Sequence, residues 1–417
     1  MLNYIDKDMG DIGKSASQYF AINQTGLMPK EELLEIGKGQ KSMSFGIPRE
    51  HEKGENRIPL TPQGVELLTA NGHEIVIESG AGNGANYFDH DFSEAGAKIV
   101  DNHEEPFRCD VVLKVAPPNE EERQLFSPGQ LLISLLHIFK QDRESIQQLM
   151  HKKINALAYE FLKDESNCYP VIRSMSEIEG YTAIMIASEY LSKEKNGKGV
   201  LLGGITGISP AEVVVIGAGT AGEFAVRAAL GLGCQVKVFD NSYRNLRELE
   251  RNVGQRLFTS VLHPQVLSKA LKSADAVISS LRYFDPQSRF FISEEQIAGM
   301  KPGSIIVDLS MGNGGCFDAG CSSKSHGSAV TIQHGVIHYR VHNIASRVAR
   351  TASIALSNIF APVLLRLAMS GGVSQLIKQD LGVSHGLYLY KGILTNHTLG
   401  ERFNLPSKDI GLLMAAF

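Results

Sequence analysis

The stretch Val213-Val214-Val215-Ile216-Gly217-Ala218-Gly219-Thr220-Ala221-Gly222 constrains this chain more than any other. A β-branched run enters a glycine-spaced turn, and small residues then open a helix; a second apolar run, Val236-Lys237-Val238-Phe239, stops at Asp240. That order is the dinucleotide-binding fingerprint. Gly217 permits the tight turn, Gly219 lets the backbone approach a pyrophosphate, and Gly222 lets the helix lie close to the sheet. Thr220 and Ala221 start that helix, where free N–H groups and the positive dipole end suit phosphates. Asp240, about 20 residues on, is expected to accept hydrogen bonds from the adenosine ribose hydroxyls, which favours NAD over NADP.

At 417 residues the chain is too long for one ordinary core, and two domains are expected. A formal net charge of -4, with both signs spread along the sequence, offers no basic field for nucleic acid or an anionic membrane. No apolar run approaches a membrane span, and glycines and charges interrupt the strongest candidate, Val200–Ile216. The first residues lack the basic start and apolar centre of a secretory signal, so a cytoplasmic protein is expected. Cys109, Cys168, Cys234, Cys316 and Cys321 form no CxxC pair and no metal-ligand spacing, so they are expected to be reduced, and no metal site is expected.

Residues 1–42 are polar, with a short helical signal at Pro29–Ile36, and read as an extension packed on a neighbouring surface or subunit. From Ser44 the chain alternates strands and helices, the pattern of an α/β protein with parallel sheets. Thr61 is placed to cap a helix from Pro62, which Gly72 would end. Lys114 leaves the apolar strand Val111–Val115, and His137 leaves the next, Leu131–Leu136. Ligands in such sheets bind beyond the carboxyl ends of strands, so these side chains are expected to share a cleft with Arg57. Met175–Gly180, carrying Ser176, reads as a crossing between domains ahead of a helix Tyr181–Glu194. After the nucleotide unit, Val341-His342-Asn343 leads into a small-residue helix, Ser346–Met369, and the tail is expected to rejoin the first domain.

Residues 44 to about 360 resemble the alanine dehydrogenase and transhydrogenase N-domain family. The matching residues are Phe45–Glu50, Asn56-Arg57 with Thr61-Pro62, Glu78–Gly82, Leu113–Val115, Gly217–Gly222, and Val307-Asp308-Leu309 before Gly314-Gly315. The resemblance implies a Rossmann-type NAD-binding domain, 173–345, inserted into a Rossmann-like substrate domain, 43–172 and 346–417, the two linked by long helices. It implies that Arg57 and Lys114 bind a substrate carboxylate, that His137 is the acid/base group with Lys114 beside it, and that Ser176 and Asn343 join the fingerprint in holding NAD. It also implies reversible oxidative deamination of L-alanine to pyruvate and ammonium, and a homo-oligomer, commonly a hexamer. Leu136-His137 favours the dehydrogenases over the transhydrogenase domains.

Two places depart from the pattern. Alanine dehydrogenases carry an aspartate in the loop after the last nucleotide-domain strand, where this chain has Gly312. Ile344-Ala345 also follow Asn343 where a proline is usual. Two further readings stay open on these grounds: an NAD-binding paralogue with weakened catalysis, and a soluble transhydrogenase-like module.

Overall fold

The computed structural model describes residues 42–138, 141–281, 292–310, 316–317, 330–341 and 343–416. The expected helix at Pro29–Ile36 and the Gly312 loop lie outside them.

Two sheets organise the chain. In the first, β1 (Ser44–Ile47), β2 (Glu74–Glu78), β3 (Lys98–Val100), β4 (Val111–Leu113), β5 (Leu131–Ser134) and β6 (Asn155–Ala158) run parallel in the order β6-β5-β4-β1-β2-β3. The second contains β7 (Glu212–Ile216), β8 (Gln235–Phe239), β9 (Phe258–Ser260), β10 (Ala276–Ser279), β11 (Ile305–Asp308) and the hairpin β12 (Val330–Gln333) and β13 (Val336–Tyr339). Its order is β12-β13-β11-β10-β7-β8-β9, parallel except for β12. The tail returns as β14 (Leu387–Tyr390) and β15 (Ile393–Leu394), antiparallel strands that extend the first sheet beyond β6.

Both sheets are therefore doubly wound. Helices cover both faces, so β4, β5, β6, β10 and β11 are buried at every residue and read as unbroken apolar runs rather than alternating ones. The strand order reverses between β1 and β4 in the first sheet and between β7 and β10 in the second. Crevices open at such reversals, and ligands sit there, beyond the carboxyl ends of the strands.

Two long helices connect the halves. The first, Pro170–Tyr190, begins well before the expected Tyr181 and ends before Glu194. Val171, Met175, Ser176, Gly180, Ala183, Ile184 and Ala187 share its buried side at helical spacing. Gly180, which reads locally as a breaker, is instead a contact: a Cβ there would stand 2.3 Å from the Ala221 carbonyl oxygen of the neighbouring helix, Thr220–Gly231. Ser176 consequently lies inside a helix, where its hydroxyl donates to the Ile172 carbonyl at 2.6 Å.

The second long helix, Ala349–Met369, follows a short 3₁₀ turn, Ile344–Val348. Among the described residues, Ile344–Met369 is the one stretch long and apolar enough to cross a membrane, rather than Val200–Ile216. More than half of its most apolar window is buried inside the protein, which marks it as a core element. Serines of that turn and helix face the first domain. Ser346, Ser353 and Ser357 accept hydrogen bonds from the backbone N–H groups of Asn56, Ile58 and Thr61 at 2.7, 2.9 and 3.1 Å. Thr61 does precede the helix Pro62–Ala70, but its hydroxyl meets Ser357 instead of capping. Partnering a buried serine outweighs a cap whose N–H groups water can otherwise satisfy.

Cys109, Cys234 and Cys316 are buried free thiols and Cys168 is an exposed one. Burial pushes each of the three buried thiols up to about 11, so they are weak nucleophiles.

Candidate active site

The loop after β1 carries Arg57, and the serines of the Ile344–Val348 turn and the Ala349–Met369 helix hold that loop by its backbone. The Arg57 guanidinium is buried and forked onto Glu55: Nε donates to Oε1 at 2.8 Å and Nη2 to Oε2 at 2.6 Å. Burial alone would lower the Arg57 pKa, but the Glu55 carboxylate overrides it and fixes the positive charge. Nη1 points one hydrogen at the Met175 sulfur, 3.4 Å away. Of its five donors three are so engaged, which leaves one hydrogen on each terminal nitrogen. Two remaining charged donors suit a carboxylate.

Lys114 leaves β4 on the opposite side of the reversal point and is 1 % exposed. Its ammonium contacts Glu122 at 2.8 Å and Glu50 at 3.1 Å. Burial alone would discharge it; the two carboxylates hold it charged. With two carboxylates facing one ammonium, burial raises the Glu50 carboxyl despite the pull of Lys114. Glu50 also accepts the Val115 N–H at 2.5 Å, tying β1 to β4 across the reversal. Glu50, Glu55 and Arg57 line one pocket of about 150 Å³ together with Arg49, Asn56 and the turn residues Gly80, Ala81 and Gly84. Arg57 and Lys114 thus converge on this pocket, Arg57 directly and Lys114 through Glu50.

His137 stands one strand further, beyond β5, and does not line that pocket. Its backbone is left-handed at φ +54°. The turn is held by Glu160, which accepts the N–H groups of Leu136 at 2.9 Å and His137 at 3.0 Å. Beside Glu160, Tyr159 donates to the Val115 carbonyl at 2.7 Å, so the β4, β5 and β6 exits are knitted together. The Glu160 carboxyl is enclosed, and burial pushes it up to about 7 against the pull of those N–H groups.

A stability prediction follows from that shift. The folded chain keeps on Glu160 a proton that an unfolded carboxyl releases near 4.5. Its contribution is complete below about pH 4.5 and is lost as pH rises through about 7, roughly 3 kcal/mol in all. Urea unfolding at pH 5 and pH 8 should show this loss in the parent chain and a smaller one in Glu160→Gln. Equal losses in both would remove Glu160 as the source.

Across the molecule, the glycine turn opens from β7 at the second reversal. Gly217 has φ +105°, a region L side chains avoid. A Cβ on Gly222 would stand 1.9 Å from the Gly217 carbonyl oxygen, whereas one on Gly219 would meet nothing within 4 Å. Gly219 therefore faces open space at the N-terminus of the helix Thr220–Gly231, the place a pyrophosphate needs. Asp240, buried at the end of β8, accepts the Ala218 N–H at 2.7 Å and the Ser242 N–H at 2.7 Å. Oδ2 also accepts the Asn245 side-chain amide at 3.5 Å, while Oδ1 keeps a lone pair for a ribose hydroxyl. The residues present fit a dinucleotide. Gly222→Ala should cost several kcal/mol of stability by backbone displacement; Gly219→Ala should leave the melting temperature within a few degrees yet weaken dinucleotide binding at least ~10-fold. Calorimetric titration with NADH and thermal melts together check both, and tight binding by Gly219→Ala would refute the assignment of this turn.

The two halves touch at Asn343, whose side-chain amide donates to Glu55, the residue that holds Arg57. The 311–315 loop, with Gly312, lies outside the described residues, but both its flanks are tied to Asp308, which accepts the N–H groups of Ser310 at 2.9 Å and Cys316 at 3.3 Å. Glu50, Glu55, Glu122 and Glu160 are the site carboxylates that sequence reading passes over. The Glu50 to Glu55 run looks like a solvated charged loop. Glu122 had a signal: Asn119-x-x-Glu122 is a capping-box spacing, and Glu122 does accept the Asn119 N–H at 2.8 Å while also holding Lys114.

Comparison with known proteins agrees with this geometry. Residues 46–179 match the model described as alanine dehydrogenase/PNT, N-terminal domain, and residues 183–397 match alanine dehydrogenase/PNT, C-terminal domain. The chain is 36 % identical over 368 residues to the alanine dehydrogenase of Staphylococcus saprophyticus, covering 88 % of this chain and 99 % of that protein. It is 35 % identical to alanine dehydrogenase 2 of Staphylococcus aureus, over 88 % of this chain and 98 % of that one. A solved L-alanine dehydrogenase superposes with a TM-score of 0.80 at 32 % identity, covering 87 % of this chain and 99 % of its own. A transhydrogenase from Sinorhizobium meliloti shares the fold, with a TM-score of 0.70 at 23 % identity over 85 % of this chain and 99 % of that one. On its paired sheets, its two crevices and these matches, the chain belongs to the alanine dehydrogenase/PNT family.

Proposed function

We propose that this chain is an NAD-dependent L-alanine dehydrogenase, converting L-alanine, water and NAD reversibly to pyruvate, ammonium and NADH. The observation that carries the reading is the Glu55-held guanidinium of Arg57 lining a pocket of about 150 Å³. That space is well below the ~300 Å³ at which larger ligand sites begin, and suits a small amino acid.

In this reading the two remaining donors of Arg57 take the substrate carboxylate. Lys114, hydrogen-bonded to Glu122 and ion-paired with Glu50, adds positive charge behind the same group. Glu55 keeps the guanidinium from rotating, and Asn343 keeps Glu55 in place. His137 takes a proton from the substrate amine at an imidazole nitrogen, then assists addition of water to the resulting imine carbon. The turn Gly217–Gly222 and Asp240 hold the dinucleotide, with Ser176 and Asn343 assigned to its nicotinamide side. NAD bound there supplies the hydride acceptor. The enzyme works as a cytoplasmic homo-oligomer.

The test is formation of NADH from L-alanine, and its consumption with pyruvate plus ammonium, by the purified chain. Absence of turnover at any enzyme concentration would overturn the proposal. Gly312 supports one alternative, a dinucleotide-binding chain with weakened chemistry. Loss of one member of an acid/base set lowers rate by ~10²–10⁴. Gly312→Asp should then raise kcat by at least ~10-fold, while an unchanged kcat would show that the loop needs no carboxylate.

A further inference from the structure

We propose that His51, Glu78 and His103 form a binding site for a transition-metal dication, zinc above all, at the edge of the first sheet. The carboxyl ends of the first three strands assemble it: His51 lies in the loop after β1, Glu78 ends β2, and His103 lies in the loop after β3. Each residue offers one ligand atom, and these atoms all lie within 4.8 Å of one another. His103 Nδ1 is 2.7 Å from Glu78 Oε2, and the His51 and His103 rings meet edge to face with centroids 4.7 Å apart.

Two imidazoles and one carboxylate are a known zinc donor set that leaves a fourth position for water. Imidazole donors select zinc, copper or nickel over magnesium and calcium, which prefer oxygen. Ligand atoms at 2.0–2.1 Å around a tetrahedral zinc stand roughly 3.3 Å apart. Closing the triad is left to His51, the exposed member, while Glu78 is buried and anchored by the Arg49 N–H at 2.7 Å. The Arg49 guanidinium is 3.9 Å from Glu78, and its side chain is 56 % exposed, free to turn outward from a cation.

The surroundings of His103 distinguish this triad from a surface ion pair. Its other nitrogen, Nε2, faces Glu122 Oε1 at 3.6 Å. A metal-ligating histidine nearly always directs its second ring N–H at a carboxylate, which sets the tautomer and raises the basicity of the ligating nitrogen. Binding the metal through Nδ1 needs the tautomer that carries its one proton on Nε2, the nitrogen that faces Glu122. Glu122 in turn holds Lys114 at 2.8 Å, so the metal would sit two residues from the buried ammonium of the pocket.

Calorimetric titration of the full chain with ZnCl₂ at pH 7.5 tests the site, alongside His51→Ala and His103→Ala. The expected result is one saturable zinc per chain, weakened at least 10-fold in each variant, with magnesium giving no heat. His51→Ala keeps the test decisive if His103→Ala folds poorly, because His51 is exposed. Zinc should also raise the melting temperature of the parent chain and not that of His51→Ala. No saturable zinc, or equal affinity in the parent and His51→Ala, would overturn the proposal. These readouts need no turnover, so their failure is separate from failure of the dehydrogenase reading.

Discussion

Arg57→Lys lowers kcat/KM for L-alanine by about 10²-fold, and Arg57→Met by about 10²–10⁴-fold, with KM for NAD changed by less than about twofold; these are the expected results of steady-state assays. The reasoning starts from geometry. Each charge-assisted hydrogen bond to a carboxylate is worth ~1.5–3 kcal/mol, and Arg57 has two donors left for it. Two such bonds correspond to ~10²–10⁴ in kcat/KM. Lysine keeps the charge but has no fork, and it cannot hold both Glu55 and a substrate carboxylate in one plane. The methionine variant carries a second effect. Glu55, whose side chain is 3 % exposed, would be left as an unpaired buried charge, destabilising the fold by ~3–5 kcal/mol. Arg57→Lys is therefore the cleaner measurement, and an unaltered KM for alanine and pyruvate in that variant would remove Arg57 from the substrate site.

His137→Asn is expected to lower kcat by ~10²–10⁴ while KM for alanine stays within a few-fold, the signature of a group that acts on the proton in the transition state. Asparagine is chosen for the backbone as much as for the side chain. At φ +54° alanine pays the left-handed penalty of ~1–2 kcal/mol, whereas asparagine tolerates that region. Glu160 accepts the backbone N–H of residue 137 whatever its side chain, so the turn survives the substitution. NADH titration should show unchanged affinity. The pH–rate profile should also lose the limb that belongs to the imidazole. Near-normal kcat in His137→Asn would reassign the acid/base role within this cleft.

The legible part of the molecule was the part whose physics is local. A turn that needs positive φ and close backbone approach admits almost nothing but glycine, so Gly217 and Gly222 announce themselves, and the acidic stop after β8 gives Asp240. Strands buried on both faces read as apolar runs, and β4 and β5 fall within the runs Val111–Val115 and Leu131–Leu136. Lys114 and His137 stood out as polar groups at successive strand ends, and Arg57 through the family's Asn56-Arg57 pattern.

Local reading failed where a residue's partner is distant in the chain. Gly180 looked like a break because a glycine weakens a helix, but the helix Thr220–Gly231 packs against it too closely for a Cβ. Thr61 looked like a cap because capping is local, but Ser357, 296 residues away, takes its hydroxyl. The Ala349–Met369 helix read only as a small-residue helix, and its serines prove to grip the Arg57 loop.

Sequence alone thus determined the glycine turn, the α/β class and the family, since each depends on backbone conformation or on a short pattern. Tertiary structure alone decided that Arg57 is forked onto Glu55, that Lys114 is enclosed by Glu50 and Glu122, and that Glu160 sets the His137 turn. Those are questions of which charges meet without water, and burial is a property of the packed chain that no single stretch of residues contains.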